Sequence, residues 1–159
     1  TMTFKFLIPG KLKDRYLQEG CQEYLKRLSK YGKMTLSFLP EEPVSPSMTK
    51  SQREKALQIE AKRALSQISE DDILFLVDIH GKELTTEEFA SLMNEKMAKN
   101  GNFVFLFGSS FGLDDSLRKR ADVSFSLSKL TFTHYMALYL TLEQCYRAMK
   151  ILKGESYDK

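Results

Sequence analysis

The sequence predicts an α/β fold with a mostly parallel sheet flanked by helices. Three observations carry this. Short apolar segments alternate with longer amphipathic ones in the order β-α-β-α-β-α-β-α-β-α. Two of the short segments, Ile73 to Val77 and Phe103 to Phe107, are apolar at every position, as strands covered on both faces require. Turn signals such as Pro9-Gly10 and Tyr31-Gly32 close the first segments.

The elements follow in order. Thr3 to Ile8 is a short apolar strand stopped by Pro9-Gly10. Leu12 to Ser29 places Tyr16, Leu17, Cys21, Tyr24, Leu25 and Leu28 near helical spacing, and Tyr31-Gly32 ends that helix. Met34 to Leu39 is the second strand, and Pro40, Pro43 and Pro46 then hold a loop free of helix. Thr49 with Gln52 forms a capping box for a helix to about Gln67, its apolar face given by Leu57, Ala61, Ala64, Leu65 and Ile68. Ile73 to Val77 is followed by a polar loop, Asp78 to Lys82, and Thr85 with Glu88 caps a helix to about Asn100. Phe103 to Phe107 runs into Gly108-Ser109-Ser110-Phe111-Gly112, with a short helix from Asp114 to Arg120. Val123 to Leu127 is the last strand, Ser128 to Thr133 a loop, and His134 to Lys153 the final helix. That helix carries apolar residues around nearly its whole circumference, among them Met136, Leu140, Leu142, Tyr146 and Ile151. Such a helix must be covered on more than one side. A second copy of the chain is the simplest cover; an oversized core helix in a monomer is the other.

The 159 residues fit one domain spanning 1–159, enough to bury a core without disulfide or metal. No apolar stretch approaches the roughly 20 residues of a membrane span, and no signal peptide is expected. Thr1, ahead of Met2, is left out of the fold argument. Cys21 and Cys145 are too far apart to suggest a metal knuckle or redox pair, so two free, buried thiols and a cytoplasmic location are expected. The net charge is only +3, but its distribution is uneven. Lys11, Lys13, Arg15, Lys26, Arg27, Lys30 and Lys33 crowd the first helix and its flanks, and Arg147, Lys150, Lys153 and Lys159 crowd the C-terminal end. These clusters suit phosphates, and they equally suit solvated helix faces.

Asp78 to Lys82, Gly108 to Gly112 and Ser128 to Thr133 all leave the carboxyl ends of strands, the edge where open α/β sheets bind ligands. The spacing is neither a dinucleotide fingerprint nor a P-loop, so it does not name the ligand. Gly108 to Gly112 formally matches G-x-S-x-G, with Asp122 and His134 following in the order of a hydrolase triad. That fold needs more strands than this chain holds, and Leu113-Asp114-Asp115 suggests a turn before the next helix.

Taken together, several motifs resemble one family. They are Gly10-Lys11-Leu12-Lys13, Gly81-Lys82, Gly108 to Gly112 with Leu113, Ser126-Leu127-Ser128-Lys129-Leu130-Thr131-Phe132 followed by His134, Glu143-Gln144 with Tyr146-Arg147-Ala148, and Gly154 with Tyr157. The chain from Phe4 to Lys159 resembles the SPOUT class of knotted methyltransferases. Within it the sequence is similar to the RlmH family, which methylates N3 of a pseudouridine in 23S ribosomal RNA. The resemblance implies a trefoil knot in the C-terminal half, a homodimer, S-adenosylmethionine as cofactor, no metal, and ribosomal RNA or the large ribosomal subunit as partner. Carried over by position, cofactor contacts come from Val77, Gly108, Leu127, Ser128, Lys129, Leu130, Thr131 and Phe132, and RNA or catalytic contacts from Arg147, Tyr157, Asp158 and Lys159. The chain departs from the family pattern at four places. Ser109 replaces the second glycine of a pair, Thr133 a proline, Leu138 an arginine, and Asp158 the histidine of a Tyr-His tail. A diverged paralogue that binds RNA without catalysis, or acts on another RNA, is the alternative.

Overall fold

The computed structural model describes residues 2–109 and 111–156. Ten elements follow one another: β1 (Met2–Pro9), α1 (Arg15–Leu28), β2 (Gly32–Leu39), α2 (Lys50–Leu65), β3 (Ile73–Glu83), α3 (Thr86–Met97), β4 (Asn102–Phe107), α4 (Asp115–Arg120), β5 (Val123–Ser126) and α5 (His134–Leu152). The five strands form one sheet in the order β2-β1-β4-β3-β5, and every pairing is parallel. This agrees with the α/β architecture expected from the alternation of segments.

Alternate side chains of each strand point to opposite faces, and the two faces carry different chemistry. One face is largely aromatic. Phe4, Phe6, Phe75, Phe103, Phe105 and Phe125 pack there with Phe89 and Met93 of α3, Leu17 and Cys21 of α1, and Leu142 and Cys145 of α5. The Phe75 ring lies 5.1 to 6.2 Å from the rings of Phe89, Phe103, Phe105 and Phe125, so one side chain ties three strands to α3. The other face is aliphatic: Leu7, Leu74, Leu76, Val104 and Leu106 pack on Ala61 and Ala64 of α2 and on Leu117 of α4. Three layers result, with α1, α3 and α5 on one side of the sheet and α2 and α4 on the other.

Local chemistry sets the helix starts. Thr49 and Thr85 each accept the backbone N–H of the residue three ahead, while Gln52 and Glu88 reach back to the capping N–H. Asp114 caps α4 and Thr133 caps α5 in the same sense. The first helix begins at Arg15, three residues later than the apolar spacing suggests, because Gly10 turns with φ +83° and the chain stays extended to Asp14.

The largest departure from expectation is in β3. The polar stretch Asp78 to Lys82 was expected as a loop, but the strand runs on to Glu83. Val77 pairs with Phe125, the register then shifts, and Lys82 pairs with Phe125 again. Residues 78–81 therefore form a strap that leaves β5 and returns to it. Gly81 makes the return possible: a Cβ there would sit 2.6 to 2.7 Å from the backbone N, C and Cα of Phe125.

No residue of α5 is exposed in the single chain. Leu138, Thr141, Leu142, Cys145, Ala148 and Met149 are buried, and α1 and α3 flank the helix on either side. These neighbours account for part of its apolar circumference, leaving Tyr139, Leu140, Tyr146 and Leu152 half-buried. Cys21 and Cys145 are free and buried, and burial pushes the Cys21 thiol up to about 11. Among the described residues, no helix is long and apolar enough to cross a membrane.

Two substitutions measure these constraints. Phe75→Ala should cost about 3–5 kcal/mol in the urea unfolding free energy. Gly81→Ala should cost about 1–3 kcal/mol although it adds one methyl group to a residue at the surface of the strap. A neutral Gly81→Ala would show that the approach to Phe125 is relaxed in solution.

Candidate functional site

The carboxyl ends of β3, β4 and β5 meet around a cavity of about 830 Å³, within the range of pockets that enclose a cofactor. Three segments build it. The first is Val77, Asp78 and Ile79, where β3 becomes the strap. The second follows β4: Gly112 N–H donates to Ser109 O at 3.0 Å, closing a tight turn in which Gly112 has φ +101°. A Cβ at Gly108 would lie 3.1 Å from Gly112 O, so the glycine keeps this wall thin. The third is the chain after β5. Ser126 Oγ donates to Ser128 O at 2.7 Å, and Leu130 N–H donates to Ser128 Oγ at 3.0 Å. This local bonding folds the loop so that Leu130 and Phe132 project over the cavity, 74% and 43% exposed. Exposed apolar side chains beside a hollow with few charges are what a partly apolar ligand needs.

Most of the expected cofactor residues come together here. Val77, Gly108, Leu127, Ser128, Leu130, Thr131 and Phe132 all line the cavity. Lys129 does not. Its side chain is 90% exposed, with Nζ 4.0 Å from Glu83 Oε1. Ser109, at a position of departure, also lines the wall, and its Oγ accepts the N–H of Phe111 at 3.3 Å. Thr133, the second departure, caps α5 by accepting from Met136 N–H at 3.2 Å, a task its hydroxyl performs at this position. Leu138, the third, is fully buried in the core.

The expected RNA and catalytic residues are placed differently. Tyr157, Asp158 and Lys159 lie outside the described residues. Arg147 is on α5, half-buried, with Nε 3.4 Å from Glu143 Oε1. It lies ten residues beyond Ala137, the last position of α5 on the cavity wall, about 15 Å along the helix axis. One chain therefore does not bring Arg147 to its own cavity. The two basic clusters do meet each other: Lys30 and Lys150 both reach Glu155, at 3.3 and 3.6 Å. The Arg27 guanidinium lies over the rings of Tyr24 and Tyr146 beside them. Ser110, the nucleophile of the hydrolase reading, lies outside the described residues. Asp122 Oδ2 accepts Leu74 N–H at 2.7 Å and faces Arg120, and α4 starts at Asp115 rather than at the serines.

Three further residues of the cavity, Asp78, His134 and Tyr135, were not among the expected cofactor contacts. Asp78 is 4% exposed, and its Oδ2 accepts Arg118 Nε–H at 2.6 Å while Oδ1 accepts His80 N–H at 3.1 Å. Burial pushes its carboxyl up, but the Arg118 bond and the His80 N–H outweigh burial and hold it below the usual carboxylate range. The signal was an acid at the end of an otherwise apolar strand; the partner, 40 residues on, gave none. His134 and Tyr135 complete the wall at the start of α5, their rings 4.0 Å apart. His134 Nε2 is buried with no hydrogen-bond partner among the described residues, and burial pulls the ring below the ordinary histidine range against the pull of Glu41, the Pro9 carbonyl and Glu60. Among the described residues, no group of three or more His, Cys, Asp or Glu could hold a metal ion.

Comparison with known proteins places this geometry. Residues 2–158 match the family model described as "Predicted SPOUT methyltransferase". The chain belongs to that SPOUT methyltransferase family. It is 36% identical over 159 residues to Ribosomal RNA large subunit methyltransferase H of Carboxydothermus hydrogenoformans, covering 99% of this chain and 100% of that one. The proteins of the same name from Enterococcus faecalis and Symbiobacterium thermophilum are 35% and 38% identical, each with 99% of this chain and 100% of the relative covered. Among solved structures, a probable methylase family protein from Haemophilus influenzae Rd KW20 superposes with a TM-score of 0.51 at 11% identity, over 95% of this chain and 66% of that one. That likeness speaks to the fold alone.

The low-lying His134 gives a defined pH response. The unfolded chain takes up its proton near pH 6.5, before the folded chain does, so stability falls as pH drops below that value. His134→Gln should flatten the decline in melting temperature between pH 7 and pH 5.5. The depressed Asp78 carboxyl acts in a separate window, below about pH 4. An unchanged slope in the variant would remove the assignment to His134.

Proposed function

We propose that this chain is an S-adenosylmethionine-dependent methyltransferase acting on N3 of a pseudouridine in 23S ribosomal RNA, in the cytoplasm, as a homodimer with a trefoil-knotted C-terminal half. The observation that carries the reading is the coincidence of two things: full-length similarity to large-subunit ribosomal RNA methyltransferases, and a cavity of cofactor size built by the three loops at the sheet's carboxyl edge.

The residues present suit the cofactor. Val77, Leu127, Leu130 and Phe132 offer apolar surface to an adenine ring, and the backbone around Gly108 and from 127 to 132 offers donors and acceptors to its edge and to a ribose. When bound, the cofactor supplies a methyl group already activated on a positively charged sulfur. The chain then has to align that methyl with the nitrogen and favour loss of the N3 proton. Arg147 would stabilise the anion of the target base, Asp158 would take the proton, and Tyr157 and Lys159 would contact the base and phosphate. A base within folded RNA would first be unstacked. Because Arg147 stands about 15 Å along α5 from its own cavity, its part in this chemistry requires a second copy. That requirement, with the half-buried apolar positions of α5, supports the dimer. The knot is supported by the path of the chain: β5 is the edge strand, wrapped by the strap, yet α5 returns to pack over β1 and β4.

A second reading has its own observation. Leu138 is sealed in the core where the family has an arginine, and Asp158 stands for a histidine, which suits a relative that binds ribosomal RNA without methylating it or acts on another RNA.

Mass spectrometry of 23S RNA from ribosomes lacking the modification, incubated with this chain and S-adenosylmethionine, separates the two. A new N3-methyl on a pseudouridine supports the enzyme; tight ribosome binding without methyl transfer supports the second reading. Gly108→Leu should fill the cavity wall and weaken cofactor binding by more than about tenfold in calorimetry while the fold is retained.

A further inference from the structure

We infer that Asp78 sets the charge preference of the cavity, favouring a cationic sulfonium donor over the neutral thioether left once the methyl has gone. The inference rests on the methyltransferase reading and names a specificity determinant within it. Among the described residues that line the cavity, Asp78 is the one acid, and no lysine or arginine stands with it; the rest are apolar, glycine, hydroxyl-bearing or the single His134. Its counter-charge is placed elsewhere. Arg118 belongs to α4, is 34% exposed, and does not line the cavity. The pair is therefore an oriented dipole, with its Asp78 end on the cavity lining and its Arg118 end outside it.

This arrangement answers a physical difficulty. A carboxylate against apolar walls tends to take up a proton and lose its charge. The Arg118 bond at 2.6 Å and the His80 N–H at 3.1 Å keep Asp78 ionised without adding positive charge to the lining. The two forms of the cofactor differ by one methyl and one unit of charge on sulfur, whereas the amino acid and adenosine groups are common to both. A fixed negative charge in a partly apolar cavity acts on that one difference. Glu41 and Glu60 act on His134 but do not line the cavity, so Asp78 is the one acid on its described lining.

Calorimetry on the full chain with S-adenosylmethionine and, separately, S-adenosylhomocysteine tests this. Asp78→Asn should weaken the sulfonium form about tenfold and leave the thioether form within about twofold, so that the ratio of the two affinities changes. If Asp78→Asn fails to fold because Arg118 is left unpaired, the double variant Asp78→Asn with Arg118→Met removes both charges and carries the same expectation. Equal weakening of both ligands, or no change in either, would overturn the inference while leaving the methyltransferase reading intact. Binding of neither ligand by the parent chain would remove both.

Discussion

Gly81 passes the backbone of Phe125 at a separation that no side chain permits, and the placing of the cavity loops follows from that crossing. Because the chain can cross there, β3 leaves β5 after Val77 and rejoins it at Lys82. The four residues between become a strap over the edge strand, and Asp78 and Ile79 are held at the lip of the cavity. The same edge fixes where β5 ends, so the loop carrying Leu130 and Phe132 folds back toward the glycine turn after β4. A parallel sheet presents its strand ends on one side by construction. Here the strap brings three of those ends close enough to enclose one ligand.

Much of this was legible in the sequence, for physical reasons that differ by element. Strands buried on both faces cannot be read as anything but apolar runs, so β3 and β4 stood out. The threonine caps were visible because a capping box is a contact between residues three apart. The cavity loops were visible because glycines and hydroxyl residues crowd strand ends. The strap was not visible, since Asp78 to Lys82 is polar, and polar stretches between elements read as loops. Only the tertiary pairing of Lys82 and Glu83 with Phe125 and Ser126 makes it a strand. The Asp78–Arg118 pair was hidden for a similar reason: Asp78 shows only as an acid at the end of an apolar strand, Arg118 carries no local signal, and the two meet only when α4 folds against the end of β3.

Charge is divided along α5. Its first turns border a cavity whose described lining holds one acid, with the histidine beside it kept neutral by burial. Its last turns meet the end of α1, where lysines and arginines gather around Glu155 and the tyrosine rings. The cavity and the basic surface differ in charge, and the length of α5 keeps them about 20 Å apart within one chain, from Ala137 to Lys150. In the proposed homodimer, a second copy would bring one end beside the other.

We propose that the strap, the glycine turn and the Leu130 loop act together as one binding site. Hydrogen exchange of the full chain with and without S-adenosylmethionine tests this directly. Slowed exchange is expected in residues 77–81, 108–113 and 127–133 together, with the α1 face unchanged. Protection confined to the α1 and α5 basic surface, or none at a saturating concentration, would contradict it.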